Sequence, residues 1–328
     1  SAKKAIRNNS LLEGTQAYKQ AADILMKMPE TDENRRELID LVLSMRGPMF
    51  RVGDAVEYLP LLQSAEKLAE EAGDITRKLQ IRSALGVYYI YRGGNPQLGW
   101  KYLEDCFDQE DIMHDVSLMV PIGFDLCTSS LLSGDWQRVN QIAPIIISLI
   151  ERSRTQDRFF DRNASIYISI IAHLAISTIG CGEVARGGQL LEKAFALASE
   201  FDNLASRAYV EWAHGIMLCF LDAQRAIAQM EQAIRSLTDS QNLLLQGVSW
   251  CWLGYAHCMT DNAGEGLGLI EKGLRMHTDL GVPYWLSFCH FFSSTAHFEL
   301  GDMAKAREHA ELALQCALNN NEKQVQGL

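Results

Sequence analysis

The residues of this sequence most suited to chemistry are thiols and imidazoles in two neighbouring apolar stretches near the C-terminal end. Thiolate and imidazole are ligands that zinc prefers. The spacing opposes a shared ion, because no Cys-x-x-Cys pair is present and the two cysteines of the first stretch are two helical turns apart. We therefore predict packing residues and no metal site. The residues considered are Cys251, His257, Cys258, Cys289, His290 and His297.

A second group of candidate ligands is a run of carboxylates, Asp105, Asp108, Glu110, Asp111 and Asp115. Oxygen ligands at this density attract calcium, but the run lacks the spacing of an EF-hand loop. A solvated loop between helices is the interpretation that we favour.

Glycines at positions 264, 266 and 268 could suggest a phosphate-binding loop. Such a loop follows a strand, and helix-forming residues precede this one, so we predict the start of a helix with small packing residues. The sequence contains no Gly-x-x-x-x-Gly-Lys-Ser/Thr, His-Glu-x-x-His or Gly-x-Ser-x-Gly motif. Since catalysis of those classes needs such motifs, we predict that the chain is not an enzyme and holds no cofactor.

The charge balance opposes nucleic-acid binding. The chain has 30 basic and 41 acidic residues, a net charge of -11, whereas nucleic acid is held by neutralising its phosphates with Lys and Arg. The densest basic stretch, from Arg152 to Arg162, is diluted by Glu151, Asp157 and Asp161. We interpret it as a solvated connector and predict no nucleic-acid partner.

Eight cysteines, most of them in apolar stretches, and the lack of a signal peptide predict reduced thiols in a cytoplasmic protein. The longest uncharged stretch, Ala164 to Gly182, contains His173 and several hydroxyl residues. A membrane span needs about 20 mostly apolar residues, so a buried helix is expected and no membrane contact is predicted. The start Ser1-Ala2 lacks an initiator Met, which predicts that the sequence is part of a longer protein.

The elements that must position these residues recur with a period near forty. Turns containing Gly, Asp or Asn separate helical patterns, and internal repeats of this length indicate a solenoid. Gly can end one helix in the left-handed conformation, and the following Asp or Asn can cap the next. The turns are Gly53-Asp54, Gly93-Gly94-Asn95, Gly134-Asp135, Gly182-Glu183, Leu221-Asp222, Asp261-Asn262 and Gly301-Asp302.

Each unit is predicted to contain two helices, A before the turn and B after it. In the last unit helix A covers about 283–300 and helix B about 303–318, and an earlier A helix covers about 159–179. Small residues recur in B helices at helical spacing, as in Ala306, Ala310 and Ala313, and they let paired helices approach closely.

Leu85-Gly86-x-x-Tyr89 and Leu253-Gly254-x-x-His257, each followed by a turn and small residues, resemble the tetratricopeptide repeat (TPR). The longer period is similar to the TPR-like C-terminal sensor region of bacterial ATPase–TPR signalling proteins of the maltose-activator type or the class III adenylate or guanylate cyclase type. The segment 5–31 resembles the first repeats after the ATPase of cyclase-type chains. The resemblance implies an all-α, right-handed solenoid of about eight repeats that forms a single domain over residues 1–328.

Because A helices line the concave side of such a solenoid, aligning the units on their turns predicts a largely apolar inner stripe. Exposed apolar surface marks interaction sites. A one-residue alignment error rotates a helical face by about 100°, so packing remains the alternative for each residue. The predicted partner-binding residues are Phe50, Phe124, Glu211, Cys251, Tyr255, Phe288, Phe291 and Phe298.

Glu211 is the polar member of this stripe, and Arg82 or Arg207 is the predicted neighbour that compensates its charge. Two hypotheses follow. The first is an interaction module that binds a protein or peptide partner on its concave face, as a regulatory part of a larger bacterial signalling protein. The alternative is a sensor that binds a small effector and controls an attached ATPase, cyclase or transcription-regulator domain.

Overall fold

The computed structural model describes residues 11–52, 58–92, 95–109, 114–160 and 162–326, without the side chains of residues 11–13 and 47–52. These ranges contain 16 α-helices and no strand, which confirms the predicted all-helical class. The chain divides into two compact units, Ser1–Ile122 and Gly123–Leu328, and each is described by itself. The single domain over residues 1–328 stays a prediction.

The described residues of the first unit contain five helices and the start of a sixth. Its core includes Tyr58, which is fully buried and whose hydroxyl donates to the carbonyl of Val42 at 2.9 Å. Because a buried phenol needs a hydrogen-bond partner, this bond ties α3 to α2. The helices are α1 (Leu11–Lys27), α2 (Asp32–Val52), α3 (Tyr58–Glu71), α4 (Ile75–Tyr91), α5 (Pro96–Phe107) and α6 (Val116–Ser133), which continues into the second unit.

The second unit continues with ten helices, most of them 14 to 18 residues long, in which each A helix is followed by its B partner. They are α7 (Trp136–Ser153), α8 (Ile166–Gly180), α9 (Val184–Glu200), α10 (Leu204–Leu221), α11 (Ala223–Asp239), α12 (Leu243–Cys258), α13 (Ala263–Asp279), α14 (Leu286–Glu299), α15 (Met303–Asn320) and the short α16 (Lys323–Gln326).

The turn residues act as the sequence predicts at most positions. Gly134, Gly182 and Gly301 have φ angles of 78°, 93° and 78°, a region that glycine enters without steric cost. Four of the predicted caps accept a hydrogen bond from the backbone N–H three residues on, which satisfies a free donor of the helix. These are Asn95, Asp135, Asp222 and Asp302. The turn Gly53-Asp54 lies outside the described residues.

Glycines allow A and B helices to touch backbone to backbone. A Cβ added to Gly266 in α13 would lie 2.6 Å from the carbonyl oxygen of Gly254 in α12, and one added to Gly99 would lie 2.6 Å from that of Gly86. No side chain can be placed at such distances without moving the helices. The Leu-Gly pairs at 85–86 and 253–254 therefore mark helix contacts.

Two expectations need correction. The predicted A helix at 159–179 begins only at Ile166, because Ser165 caps α8 by accepting from the N–H of Ile168. In α15, Ala306 and Ala313 are buried as expected, but Ala310 is exposed. Ala310 therefore does not take part in the contact between paired helices.

The last helix of the second unit meets its first elements. Nζ of Lys323 lies 2.7 Å from Oδ2 of Asp135, and Nε2 of Gln324 donates to the carbonyl of Leu131 at 3.0 Å. A Cβ on Gly134 would collide with the Gln324 side chain, which is 2.2 Å away. The second unit is thus closed by contacts between residues about 190 positions apart.

Candidate interaction surface

Residues of α6, α8 and α10, with Trp285 just before α14, form a continuous aromatic contact series in the second unit. Phe124 stacks on His173 with ring centroids 5.5 Å apart, and His173 meets Tyr209 edge-on at the same distance. Tyr209 contacts Trp212 at 5.3 Å, and Trp212 contacts Trp285 at 5.8 Å. This series connects the A helices α6, α8 and α10 through side chains and passes over α12 to reach the start of α14.

His173 is fully buried within this series and hydrogen-bonded to the hydroxyl of Tyr209. Burial lowers the pKa of His173 to about 3, because a charged imidazole loses its hydration there. The ring is therefore neutral at physiological pH. Its Nδ1 atom is buried without a hydrogen-bond partner in the described part of the chain.

A second aromatic cluster lies between α12 and α14. Trp252 and Phe292 are buried with centroids 4.6 Å apart, and Tyr255 stacks on Phe292 at 4.5 Å. Tyr255 and Phe291 are only half-buried, and their rings lie 6.3 Å apart. These two predicted residues thus present open ring surface above a rigid apolar layer.

Glu211, the predicted polar residue, is buried in α10 with an exposed fraction of 4%. Its Oε1 accepts from Nε of Arg207 at 2.9 Å, one turn earlier in the helix, so the predicted neighbour Arg207 is confirmed. Arg82 lies in the first unit and pairs with Glu66 and Asp105 instead. The second oxygen, Oε2, has no partner among the described residues.

Cys251 and Phe288 occupy predicted surface positions but are buried in the structure. Sγ of Cys251 lies 3.3 Å from Sγ of Cys289, and both thiols have no exposed area. Burial raises the pKa of Cys251 well above its usual value, so the sulfur is a protonated packing group. For Cys251 and Phe288 the structure supports the packing alternative.

The other predicted residues differ in their surroundings. Phe124 is half-buried and lies 6.0 Å from the guanidinium carbon of Arg162. Phe298 is 58% exposed at the end of α14. Phe50 lies in α2, but its side chain is outside the described part of the structure.

The alignment on turns missed the aromatic residues that do most of the packing. Trp212, Trp252 and Phe292 recur at intervals of forty residues, one position after Glu211, Cys251 and Phe291. One position corresponds to a rotation of about 100°, and of the three predicted residues only Phe291 is half-buried, whereas Glu211 and Cys251 are buried. A search for aromatic residues at the repeat period would have found them.

The metal ligands considered from sequence do not converge. In the described chain, no group of three or more His, Cys, Asp or Glu residues is arranged to hold an ion. His257 lies near Glu265, at 3.7 Å, whereas Cys251 faces Cys289. His290 and His309 approach through their Nδ1 atoms at 3.1 Å, and burial lowers the pKa of His290 to about 4.

All eight cysteines are free, and six of them are buried. The uncharged stretch predicted to form a buried helix is α8, in which His173 and Ser169 are buried with the apolar residues. Among the described helices, α6 alone has the length and apolar composition to cross a membrane. Its apolar window is 72% buried within the protein, as in a core helix.

The fold and this A-helix surface define a TPR-like helical-repeat protein, which confirms the resemblance found in the sequence. No protein-family profile matches the chain, and no curated protein matches it. Several solved structures share the fold, among them the following three. The Rap protein complexed with competence and sporulation factor has a TM-score of 0.60 at 9% identity, over 88% of this chain and 79% of that one.

The second is a signal transduction ATPase (STAND) protein with a tetratricopeptide repeat sensor from Pyrococcus horikoshii. Its TM-score is 0.53 at 10% identity, over 93% of this chain and 46% of that one. The third, the human IFIT1 dimer with PPP-AAAA, has a TM-score of 0.52 at 12% identity, over 95% and 66%. At these identities the likeness shows the fold, which is a TPR-like stack of helical repeats.

Proposed function

We propose that the chain is a non-catalytic interaction module that binds a protein or peptide partner through its A-helix face, as a regulatory part of a larger bacterial signalling protein. The observation that carries the proposal is the pair Tyr255 and Phe291. Both rings are half-buried, lie 6.3 Å apart and rest against buried Phe292. Open aromatic surface on a rigid support is the usual anchor of a binding site.

An amphipathic peptide segment is the occupant that suits this surface. Its apolar side chains would cover the two rings, as in helix-in-groove recognition. The Rap structure, solved with competence and sporulation factor, and the STAND protein with its repeat sensor support such a role. The proposed setting is the cytoplasm.

The test is selection of peptides from a random phage-displayed library against the 328-residue chain. We expect enriched peptides whose affinity falls at least tenfold, about 1.4 kcal/mol, in the variant Tyr255→Ala/Phe291→Ala. Ile145→Ala, at a 51% exposed position in α7, is the matched control and should leave the affinity unchanged. Circular dichroism verifies folding. No enrichment, or equal loss in the control, would disprove the proposal.

A small-effector sensor is the second candidate, and three buried polar atoms favour it. Nδ1 of His173, Oε2 of Glu211 and Nε1 of Trp212 lack partners within the described chain, although His173 contacts α10 through Tyr209. Buried polar atoms without partners are costly, by about 1–3 kcal/mol each. A small molecule with both donors and acceptors could satisfy them.

Thermal-shift measurements with amino acids, nucleosides and cyclic nucleotides test this candidate. A compound that raises Tm for the wild type but not for Glu211→Gln supports the sensor. If no compound of these classes raises Tm, or if the shift persists in Glu211→Gln, this candidate fails.

Nucleic acid is a separate outcome, since the IFIT1 structure contains PPP-AAAA. The net charge of -11 disfavours phosphate binding by this chain. Filter binding with a 5′-triphosphate oligoadenylate at low salt should therefore detect no complex. Retention of the oligonucleotide at low salt, lost at high salt, would contradict the proposed protein or peptide partner.

A further inference from the structure

The last hairpin of the second unit, formed by α14 and α15, exposes an unusual share of apolar side chains. Of the 16 large hydrophobic residues that are exposed in the described chain, five lie between positions 298 and 318. Grouped apolar side chains on a protein surface mark an interaction site, so this hairpin requires an explanation. The five are Phe298 (58%), Leu300 (49%), Met303 (56%), Leu314 (47%) and Leu318 (61%).

Comparison with the preceding hairpin shows that the described residues leave a stacking groove uncovered. Asn262 and Asp302 begin the two B helices forty residues apart, so Cys258, Ala263 and Ile270 correspond to Phe298, Met303 and Ala310. The first three are buried, at 4%, 9% and 0% exposure, whereas the second three are exposed. These exposed residues, with Ser294, Thr295, Ala306 and Arg307, line a shallow groove.

In the preceding hairpin, the helix that follows covers the corresponding surface. Helix α14 packs on α12 through Phe292, which contacts Trp252 and Tyr255, and through Cys289, which contacts Cys251. A helix is therefore the element that a groove of this repeat accepts.

Helix α15 itself carries a matching apolar stripe. Met303, Ala310, Leu314 and Leu318 lie on one face at helical spacing, with the charged Arg307 among them. All of them are exposed. The same helix is thus one wall of the groove and carries an apolar face that no described residue covers, which is the condition for a self-complementary, two-fold contact.

We propose that this surface is the interface of a homodimer, in which α15 of one copy packs antiparallel to α15 of a second copy. The two-fold axis passes near Ala310, whose small side chain permits close approach. Met303 of each copy then lies near Leu318 of the other.

Charge complementarity favours this occupant. Arg307 and Glu311 are 83% and 67% exposed and pair within one helix at 2.9 Å. An antiparallel arrangement about Ala310 brings the Arg307 side chain of each copy within reach of Glu311 of the other. Two ion pairs then flank an apolar centre, an arrangement that fixes the orientation of the helices.

Light scattering coupled to size-exclusion chromatography of the 328-residue chain tests the proposal. We expect a dimer for the wild type and a monomer for Leu314→Glu, since a carboxylate would be buried at the contact. Ile145→Glu is the matched control, because Ile145 in α7 is 51% exposed and lies outside the interface. This control should remain a dimer, and far-ultraviolet circular dichroism should show all variants folded.

Crosslinking tests the two-fold geometry independently. Ala310→Cys should form a dimer with a short bismaleimide, whereas Met303→Cys and the wild type, with its eight native cysteines, should not. A monomeric wild type, or equal effects of Leu314→Glu and Ile145→Glu, would overturn the proposal. Crosslinking of Met303→Cys but not Ala310→Cys would overturn the antiparallel arrangement.

Discussion

Lys323 and Asp135 form an ion pair at 2.7 Å across 188 residues of sequence. Asp135 also caps α7 by accepting from the N–H of Arg138 at 3.1 Å. Burial alone would raise the pKa of Asp135, but the bonds from Lys323 and Arg138 outweigh it and hold the pKa below its usual value. One carboxylate therefore caps a helix and joins the two ends of the second unit.

Two single substitutions separate these two roles. Lys323→Ala should lower the free energy of unfolding by about 0.2–1 kcal/mol, as for other partly exposed ion pairs. Asp135→Ala should cost about 1 kcal/mol more, because it also removes the cap. Urea unfolding at low and high salt is the measurement. A Lys323→Ala effect that is independent of salt would show that the ion pair is not the cause.

Glu322, next to this ion pair, has an unusual environment. It is fully buried and accepts from Nδ2 of Asn320 at 2.9 Å, from the N–H of Trp285 at 3.3 Å and from the hydroxyl of Ser287. Burial raises the pKa of Glu322 to about 7, and these hydrogen bonds oppose the rise only in part. The folded state therefore binds a proton more tightly than the unfolded chain, whose carboxyl has a pKa of 4.5.

The stabilisation from this proton is complete below about pH 4.5 and is lost as pH rises through 7. At 1.36 kcal/mol per pKa unit, the loss is on the order of 3 kcal/mol. Glu322→Gln cannot ionise, so it should match the wild type near pH 5 and be more stable at pH 8. The measurement is chemical denaturation at both pH values. A difference between the two proteins that does not change with pH would contradict this assignment.

Replacement of two glycines of α13 by alanine should change the stability of the protein in opposite directions. Gly266→Ala places a Cβ 2.6 Å from the carbonyl oxygen of Gly254 and should destabilise by about 1–3 kcal/mol through overpacking. Gly268 has open space around it, so Gly268→Ala should stabilise by up to about 1 kcal/mol through helix propensity. Thermal melts measure both. Equal effects would mean that the helices do not touch at Gly266.

Substitutions of Arg207 and Glu211 should also differ in how far they lower the free energy of unfolding. Arg207→Ala leaves a buried carboxylate without compensation and should cost on the order of 1–3 kcal/mol. Glu211→Gln removes the charge together with its desolvation cost and should cost less. Urea unfolding of both variants is the measurement. A larger loss for Glu211→Gln would indicate that the negative charge itself supports the fold.

The helical class, the turns and most helix positions could be predicted from local chemistry. Asp135 and Asp302 act through residues three positions away, so short-range patterns contain the necessary information. The same holds for Gly254 and Gly266, whose positions follow from the repeat.

The candidate surface was harder to predict, because the direction in which each side chain points depends on packing between repeats. Glu211 was placed beside Arg207 correctly, since both lie on one helix at a spacing of four. Whether Cys251 was open or covered depended on Cys289 in another helix, which no local pattern specifies. The contact between Lys323 and Asp135 depended on the accumulated rotation of five hairpins.

The tie between α16 and the start of α7 has a consequence for how this protein can change over evolution. Repeat proteins commonly grow or shrink by gain or loss of whole repeats. In the second unit, an added hairpin would move Lys323 and Gln324 away from Asp135 and Leu131. A deleted hairpin would also misplace these residues, so the contacts would be lost in both cases. The number of repeats between these residues is therefore fixed by the geometry of closure, and variation must come from substitutions.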